Sequence, residues 1–303
     1  MATADKTLQA IRKKLKHCTL AWQPSLWLDT GIPDLNCVVG HRDKGLPYGS
    51  VMEISGWQSA GKTAIAMTLC ALAQQDGAHI VWGGFEDRNI DERWASIRGL
   101  DLNKNFTSIV PYVGTFGSEK LPRLASAQEL LEEMEEVMAA KHGQCNRMVA
   151  VIDSIAALLP EGEAEAGLSG GGFRSSMDLP MMMGRLLRRW VGLAQWHNCL
   201  IVMINQLRTN PMARFGDPTY TPGGNAPLFY SHVRLRVRRV KGGKIMSGGK
   251  MVGVRGIIKA IKNKAGGCEN AEVGYRLFFD APTEFVPVSE IKKESGESGE
   301  DGV

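Results

Sequence analysis

The sequence predicts an open α/β fold, a mostly parallel sheet covered by helices on both faces, and three observations carry that prediction. The segments VMEIS from Val51, HIVWGGFE from His79 to Glu86, MVAVID from Met148 to Asp153 and CLIVMIN from Cys199 are apolar without interruption, as in strands buried on both faces. Segments with helical periodicity separate them, which is the βαβ alternation of a parallel sheet. A glycine-bearing turn, GWQSAGKT from Gly56 to Thr63, joins the first of these strands directly to an apolar helix.

In chain order, Leu8, Ile11 and Leu15 recur at helical spacing inside a basic segment, so residues 5–17 read as a short helix whose one apolar stripe needs a partner. The strand at Val51, the turn and the helix after Thr63 follow, then HIVWGGFE, a helix around Leu130–Met138, MVAVID, a helix from Met181 to Ala194, and CLIVMIN. Beyond Gln206 the alternation stops. Asn210–Pro227 holds prolines at 211, 218, 222 and 227 and glycines at 216, 223 and 224, which exclude helix and central strand. Structureless loops of that length are uncommon unless functional, so this one is expected to touch a ligand.

Arg234–Lys264 carries eleven Lys or Arg and no acid. Arg234, Arg236 and Arg238 alternate with Leu235 and Val237, which fits the wet face of an edge strand, while the run as a whole fits a polyanion partner. The last fifteen residues hold five acids against two lysines, and the chain from Val288 reads as a disordered tail.

The totals exclude several classes. With 303 residues, 44% of them apolar, the chain can bury a substantial core and is not a disordered protein. Six scattered cysteines without a Cys-x-x-Cys pair argue against a disulfide framework or a zinc site and suit a reducing cytoplasm. A charged N-terminus and the lack of a long apolar run speak against secretion and membrane insertion.

The chemistry starts at GWQSAGKT, which fits G-x-x-x-x-G-K-[ST] and sits where that pattern binds phosphate, between strand and helix. Gly56 and Gly61 let the backbone of Trp57, Gln58, Ser59 and Ala60 wrap phosphate oxygens, with the following helix N-terminus aimed at the charge. Lys62 is expected at the β- and γ-phosphates and the Thr63 hydroxyl on Mg²⁺. Asp153 closes MVAVID at its carboxyl end, where ligands of open α/β sheets gather, and would hold Mg²⁺ through water. Glu86 ends HIVWGGFE; it reads either as a solvated acid or as the base that polarises a water for attack on the γ-phosphate. Gln206, at the end of CLIVMINQ, adds a neutral group able to feel the γ-phosphate, and it opens the long loop.

With GWQSAGKT, FED, AVIDSIAALLP, MINQLR, FGDPTYTPGGNAPLFYSHVR and IKNK in this order, the chain resembles the bacterial RecA recombinase family over about residues 28–280. The resemblance implies a RecA-like P-loop ATPase core over residues 34–287, preceded at 1–33 by an oligomerisation helix and linker, with a tail at 288–303. It implies a DNA-dependent ATPase that forms a helical filament on single-stranded DNA, pairs it with a homologous duplex and exchanges strands in recombination and repair. Single-strand-binding or mediator proteins would be further partners, ATP and Mg²⁺ the cofactors, and the cytoplasm the location. A ring motor, or a regulatory filament that coats DNA without exchange, is the alternative.

Residue by residue, the resemblance makes Glu86 the activating base, Gln206 the γ-phosphate sensor, and Asp91 with Trp94 the groups against adenine, although Trp94 also reads as ordinary packing. Residues 207–227 resemble the second DNA loop, with Arg208, Gly223, Gly224 and Asn225 against the DNA backbone and Phe215 at its aromatic position. Residues 161–177 resemble the first, although its glycines alone suggest a flexible linker. Lys262 and Lys264 match a pair that reaches a neighbouring subunit's γ-phosphate. Some positions depart from the pattern: Pro227 and Leu228 replace leucine and lysine, Pro211 replaces an aliphatic wedge, and an expected arginine falls near Pro180 or Met181, where Arg174, Arg185 or Arg188 would substitute. The family's small C-terminal domain is not evident.

Overall fold

The computed structural model describes residues 24–86, 90–113, 123–166, 175–210, 212 and 216–296. The predicted N-terminal helix, Arg174, Pro211 and Phe215 lie outside the described residues. A nine-stranded sheet organises the molecule: β1 (Val51–Gly56), β2 (His79–Gly84), β3 (Phe106–Ile109), β4 (Met148–Asp153), β5 (Cys199–Gln206), β6 (Val233–Ser247), β7 (Lys250–Asn263), β8 (Glu272–Phe278) and β9 (Glu284–Val286), in spatial order β9-β8-β7-β6-β1-β5-β4-β2-β3. From β6 through β3 neighbours run parallel, and β6 to β9 form an antiparallel extension. The helices are α1 (Pro33–Val39), α2 (Lys62–Gln75), α3 (Glu92–Ile97), α4 (Ala127–Lys141), α5 (Glu161–Ala166), α6 (Ser175–His197), α7 (Ala226–Tyr230) and α8 (Val288–Ser295).

The uninterrupted apolar strands split by their two-residue period into two cores. Ile54, Ile80, Trp82, Val149, Val151, Val202 and Ile204 pack with α1 and α2, while Val81, Ala150, Ile152, Ile201 and Met203 pack with α4 and α6. Each such buried aliphatic side chain contributes about 1.5–3 kcal/mol. The α4 helix starts where a capping box fixes it: Glu129 N donates to Ser126 Oγ at 3.3 Å and Ser126 N to Glu129 Oε2 at 2.8 Å.

Three expectations are corrected. First, β6 is no edge strand, because it lies between β1 and β7 with ladders to both. Arg234 alternates with its neighbours but faces a buried acid rather than water. Second, the 210–227 segment is not without regular structure. Arg208–Thr209 pairs antiparallel with Thr219–Tyr220, and α7 begins at Ala226 with Pro227 in its first turn, where a missing N–H costs nothing. Third, the tail does not begin disordered at Val288. The α8 helix buries Ile291 against Val240 and Ile257, and its Glu290 and Glu294 bond Arg276 while Glu294 also bonds Arg255. Acids that look unsatisfiable along the sequence meet arginines of β7 and β8, and Gly296 in the left-handed region ends the helix.

Candidate functional site

Strand register assembles the site. Gly56 pairs with Gln206 and Gly84 with Asp153, so the carboxyl ends of β1, β5, β4 and β2 come level at one edge of the sheet. A cleft of about 590 Å³ opens there, lined by the polar side chains of Gln58, Ser59, Lys62, Thr63, Glu86, Asp153 and Gln206 with Gly61. Met67, Ile90, Asp91, Trp94 and Phe279 line it too.

The turn from Gly56 to Thr63 is held from two sides. Gly61 takes φ +87°, a conformation that glycine adopts without strain and from which α2 starts. Tyr275, buried on β8, donates its hydroxyl to the Ala60 carbonyl at 2.6 Å. Lys62 is almost buried and folds back so that Nζ donates to the Trp57 carbonyl at 2.9 Å. Burial pushes its amine below the usual lysine range, and the carboxylates of Glu86 and Asp153 oppose that shift by favouring the charged form. A cation near two carboxylates, at a glycine-bearing turn that opens a helix N-terminus, is suited to a bound polyphosphate.

Glu86 is held on both oxygens: Ser154 Oγ donates to Oε2 at 3.0 Å and Gln206 Nε2 to Oε1 at 2.9 Å. The two side chains given separate roles from the sequence are therefore in direct contact. Thr63 and Asp153 both line the cleft close to Lys62. Asp91 caps α3, accepting from Trp94 N at 2.8 Å, so part of its role is structural.

The segment after Gln206 is fastened from inside the protein. Asn205 Nδ2 donates to the Pro222 carbonyl at 3.0 Å and to Glu53 Oε1 at 2.9 Å, and Asn205 Oδ1 accepts from Gln206 N at 2.9 Å. Arg234 Nε completes the network on Glu53 Oε2 at 2.6 Å. One buried amide thus ties the start of the loop to its far end. Glu53 was missed in the sequence reading; its signal was a lone acid in an otherwise apolar strand.

The expected DNA-side residues divide. Arg208, Arg188 and Asn225 are exposed, Arg188 donating to its own helix at the Gly184 carbonyl, 2.8 Å away. Gly223 is buried against Ile155, Met183 and Pro227. Gly224, at φ +71°, lies so near Pro180 that a Cβ would come within 2.9 Å of its side chain, so this glycine serves close packing of the loop on α6. Lys262 and Lys264 do not line the cleft of their own chain. Lys262 Nζ donates to the carbonyls of Leu228 at 2.6 Å and Phe229 at 3.1 Å, and burial, with Lys264 beside it, pushes its amine down.

The basic run is less of an open polyanion surface than its composition suggests. Arg234 pairs with Glu53, Arg236 with Asp217, Arg255 with Glu294 and Lys259 with Glu272. The cations stand together in the sequence and their partners do not, because each partner lies elsewhere in the chain.

Fold and cleft together define an α/β protein whose glycine-bearing strand-to-helix turn opens onto a cleft at the carboxyl edge of a parallel sheet. The family model of the RecA N-terminal domain matches residues 27–278. The chain is 33% identical over 239 residues to Protein RecA of Clostridioides difficile, 78% of this chain and 61% of that one. It is 32% identical over 265 residues to Protein RecA of Acinetobacter baumannii, 87% of this chain and 64% of that one. The chain belongs to the RecA family, and it spans about six-tenths of the length of these curated relatives. Among the described residues no helix is long and apolar enough to cross a membrane.

Proposed function

We propose that the protein is an ATP-dependent recombinase of the cytoplasm that assembles into a helical filament on single-stranded DNA and pairs it with homologous duplex. The observation that carries this reading is the Glu86–Gln206 contact at the head of the loop, which puts a candidate base, a candidate phosphate sensor and a candidate DNA segment in mechanical series. The family gives the prior, and the geometry supplies a way for the parts to act together.

In the proposed cycle the triphosphate of ATP lies over the turn, with Lys62 turning from the Trp57 carbonyl to the β- and γ-phosphates. Among the described residues no cluster of three or more His, Cys, Asp or Glu is able to hold a metal by itself. The Thr63 hydroxyl and the Asp153 carboxylate make a sparse oxygen set, which fits Mg²⁺ completed by phosphate oxygens and water. Bound there, Mg²⁺ would neutralise charge on the phosphates. Glu86 takes a proton from the attacking water, and Ser154 holds the carboxylate in place.

Gln206 provides the coupling. Its amide donates to Glu86 when no γ-phosphate is present; a γ-phosphate competes for the same N–H groups, releases Glu86 for base chemistry and draws the end of β5 with it. Asn205, bonded to both Gln206 N and Pro222, passes that shift to the far end of the loop. ATP then orders the DNA-contacting segment and ADP relaxes it. Lys262 and Lys264 act on the neighbouring protomer's nucleotide, so assembly and hydrolysis depend on each other.

Electron microscopy of the protein with single-stranded DNA and a non-hydrolysable ATP analogue tests this reading. Helical filaments that pair homologous duplex are expected. Closed rings would support a motor, and bare strands would reject the assignment.

A further inference from the structure

Arg98 is 4% exposed, and no carboxylate among the described residues lies within ion-pair distance of it. Burying a guanidinium without a counter-ion is costly, so its neighbours must repay it in another way. Its Cζ lies 4.5 Å from the centre of the Trp94 ring, a cation–π contact within one short stretch of chain. Its two terminal nitrogens donate to the carbonyls of Phe278 and Ala281, 180 and 183 residues away in sequence.

Those carbonyls bracket Phe279. Trp94 and Phe279 both line the cleft that Lys62 lines, as do Asp91, Ile90 and Met67. One buried side chain therefore touches the ring of one aromatic lining residue and fixes the backbone that carries the other. Its fork of donors suits this task, since two diverging N–H directions and a flat face are used at once. Burial lowers its pKa to about 10, which still leaves it a cation at neutral pH.

We propose that Arg98 is a positioning residue for the nucleobase: it fixes Trp94 and Phe279 as the two walls of a base-binding slot and so contributes to affinity for a purine nucleotide. The inference rests on the reading of the cleft as a nucleotide site, and it adds Phe279 and Arg98 to the groups that read the base. The flat, apolar faces of the two rings suit a stacked heteroaromatic ring, and a two-ring base covers more of them than a one-ring base.

The test compares Mg²⁺-ATP, Mg²⁺-CTP and inorganic triphosphate binding by calorimetry to the wild type, Arg98→Lys, Arg98→Gln and Phe279→Ala. In each variant ATP is expected to bind about tenfold more weakly, while inorganic triphosphate binds unchanged and the preference for ATP over CTP shrinks. In turnover, KM for ATP rises and kcat stays. If Arg98 only staples α3 to the sheet, melting temperature falls but the ATP-to-triphosphate affinity ratio does not move, and the proposal is overturned. Phe279 is partly exposed, so its truncation tests the slot even where the Arg98 variants fail to fold; unchanged ATP affinity in Phe279→Ala also overturns it. Failure of the wild type to bind either ATP or triphosphate would instead reject the nucleotide site itself.

Discussion

The parallel half of the sheet, β1 to β5, and the antiparallel half, β6 to β9, handle polar groups in opposite ways. In the parallel half the strand bodies are almost wholly apolar, and the polar side chains wait at the carboxyl ends, where Asp153 and Gln206 meet the cleft. In the antiparallel half cations run along the strands themselves and are answered by acids from other elements: Arg236 by Asp217 of the loop, Arg255 and Arg276 by the acids of α8, and Lys259 by Glu272 of the neighbouring strand. Chemistry placed at strand ends is read off a one-dimensional order. Charge spread along a strand means nothing until its partners are known.

Glu53 is the exception that joins the halves, and the largest expected effect lies there. Arg234→Met leaves a fully buried carboxylate with only the Asn205 amide, so stability should fall by about 3–5 kcal/mol, measured by urea unfolding. A loss below about 1 kcal/mol would mean that the network is ornamental. Lys62→Ala attacks the other half: ATP turnover should drop by about 10²–10³-fold, roughly 3–4 kcal/mol of barrier, with the fold retained. Hydrolysis at the wild-type rate would show that the cleft is misassigned.

Tyr275 connects the antiparallel half to the phosphate turn. Tyr275→Phe removes its bond to the Ala60 carbonyl, and about 1 kcal/mol of stability should go with it, together with a higher KM for ATP in steady-state assays. An unchanged KM would separate the turn from the sheet extension.

The smallest effect concerns Asp217, whose carboxyl is held down to about 2 by hydrogen bonds from Thr219 and then from Arg236. Because the folded value is depressed, the group stabilises the protein above its unfolded value of about 4, and that contribution disappears as pH falls through about 2. The melting-temperature gap between wild type and Asp217→Asn should therefore be present at pH 5 and gone near pH 2. It will be modest and salt-sensitive, since this carboxylate is more than half exposed. A gap that persists at the lowest pH would assign it to packing.

Much of the candidate site was legible in the sequence because strand ends and the G-x-x-x-x-G-K-[ST] spacing are local features. Lys62, Thr63, Glu86, Asp153 and Gln206 all reach one cleft, and Asp91 and Trp94 line the same cleft. The ordered α8 was not legible, since a short acidic segment gains its stability only from Arg255, Arg276 and a hydrophobic seat for Ile291. The β6 arginines misled for the same reason, and Arg98 was invisible because its contacts run to Phe278 and Ala281.

By itself, then, the sequence determined the α/β alternation, the two-faced burial of the parallel strands and the polar groups at their ends, because side-chain periodicity and backbone geometry are set within a few residues. Only the tertiary structure decided which cations are spoken for, where the chain's last helix rests and that Gln206 bonds Glu86. Those outcomes depend on groups far apart along the chain being brought within hydrogen-bond reach, and a linear order holds no record of which pairs the fold will bring together.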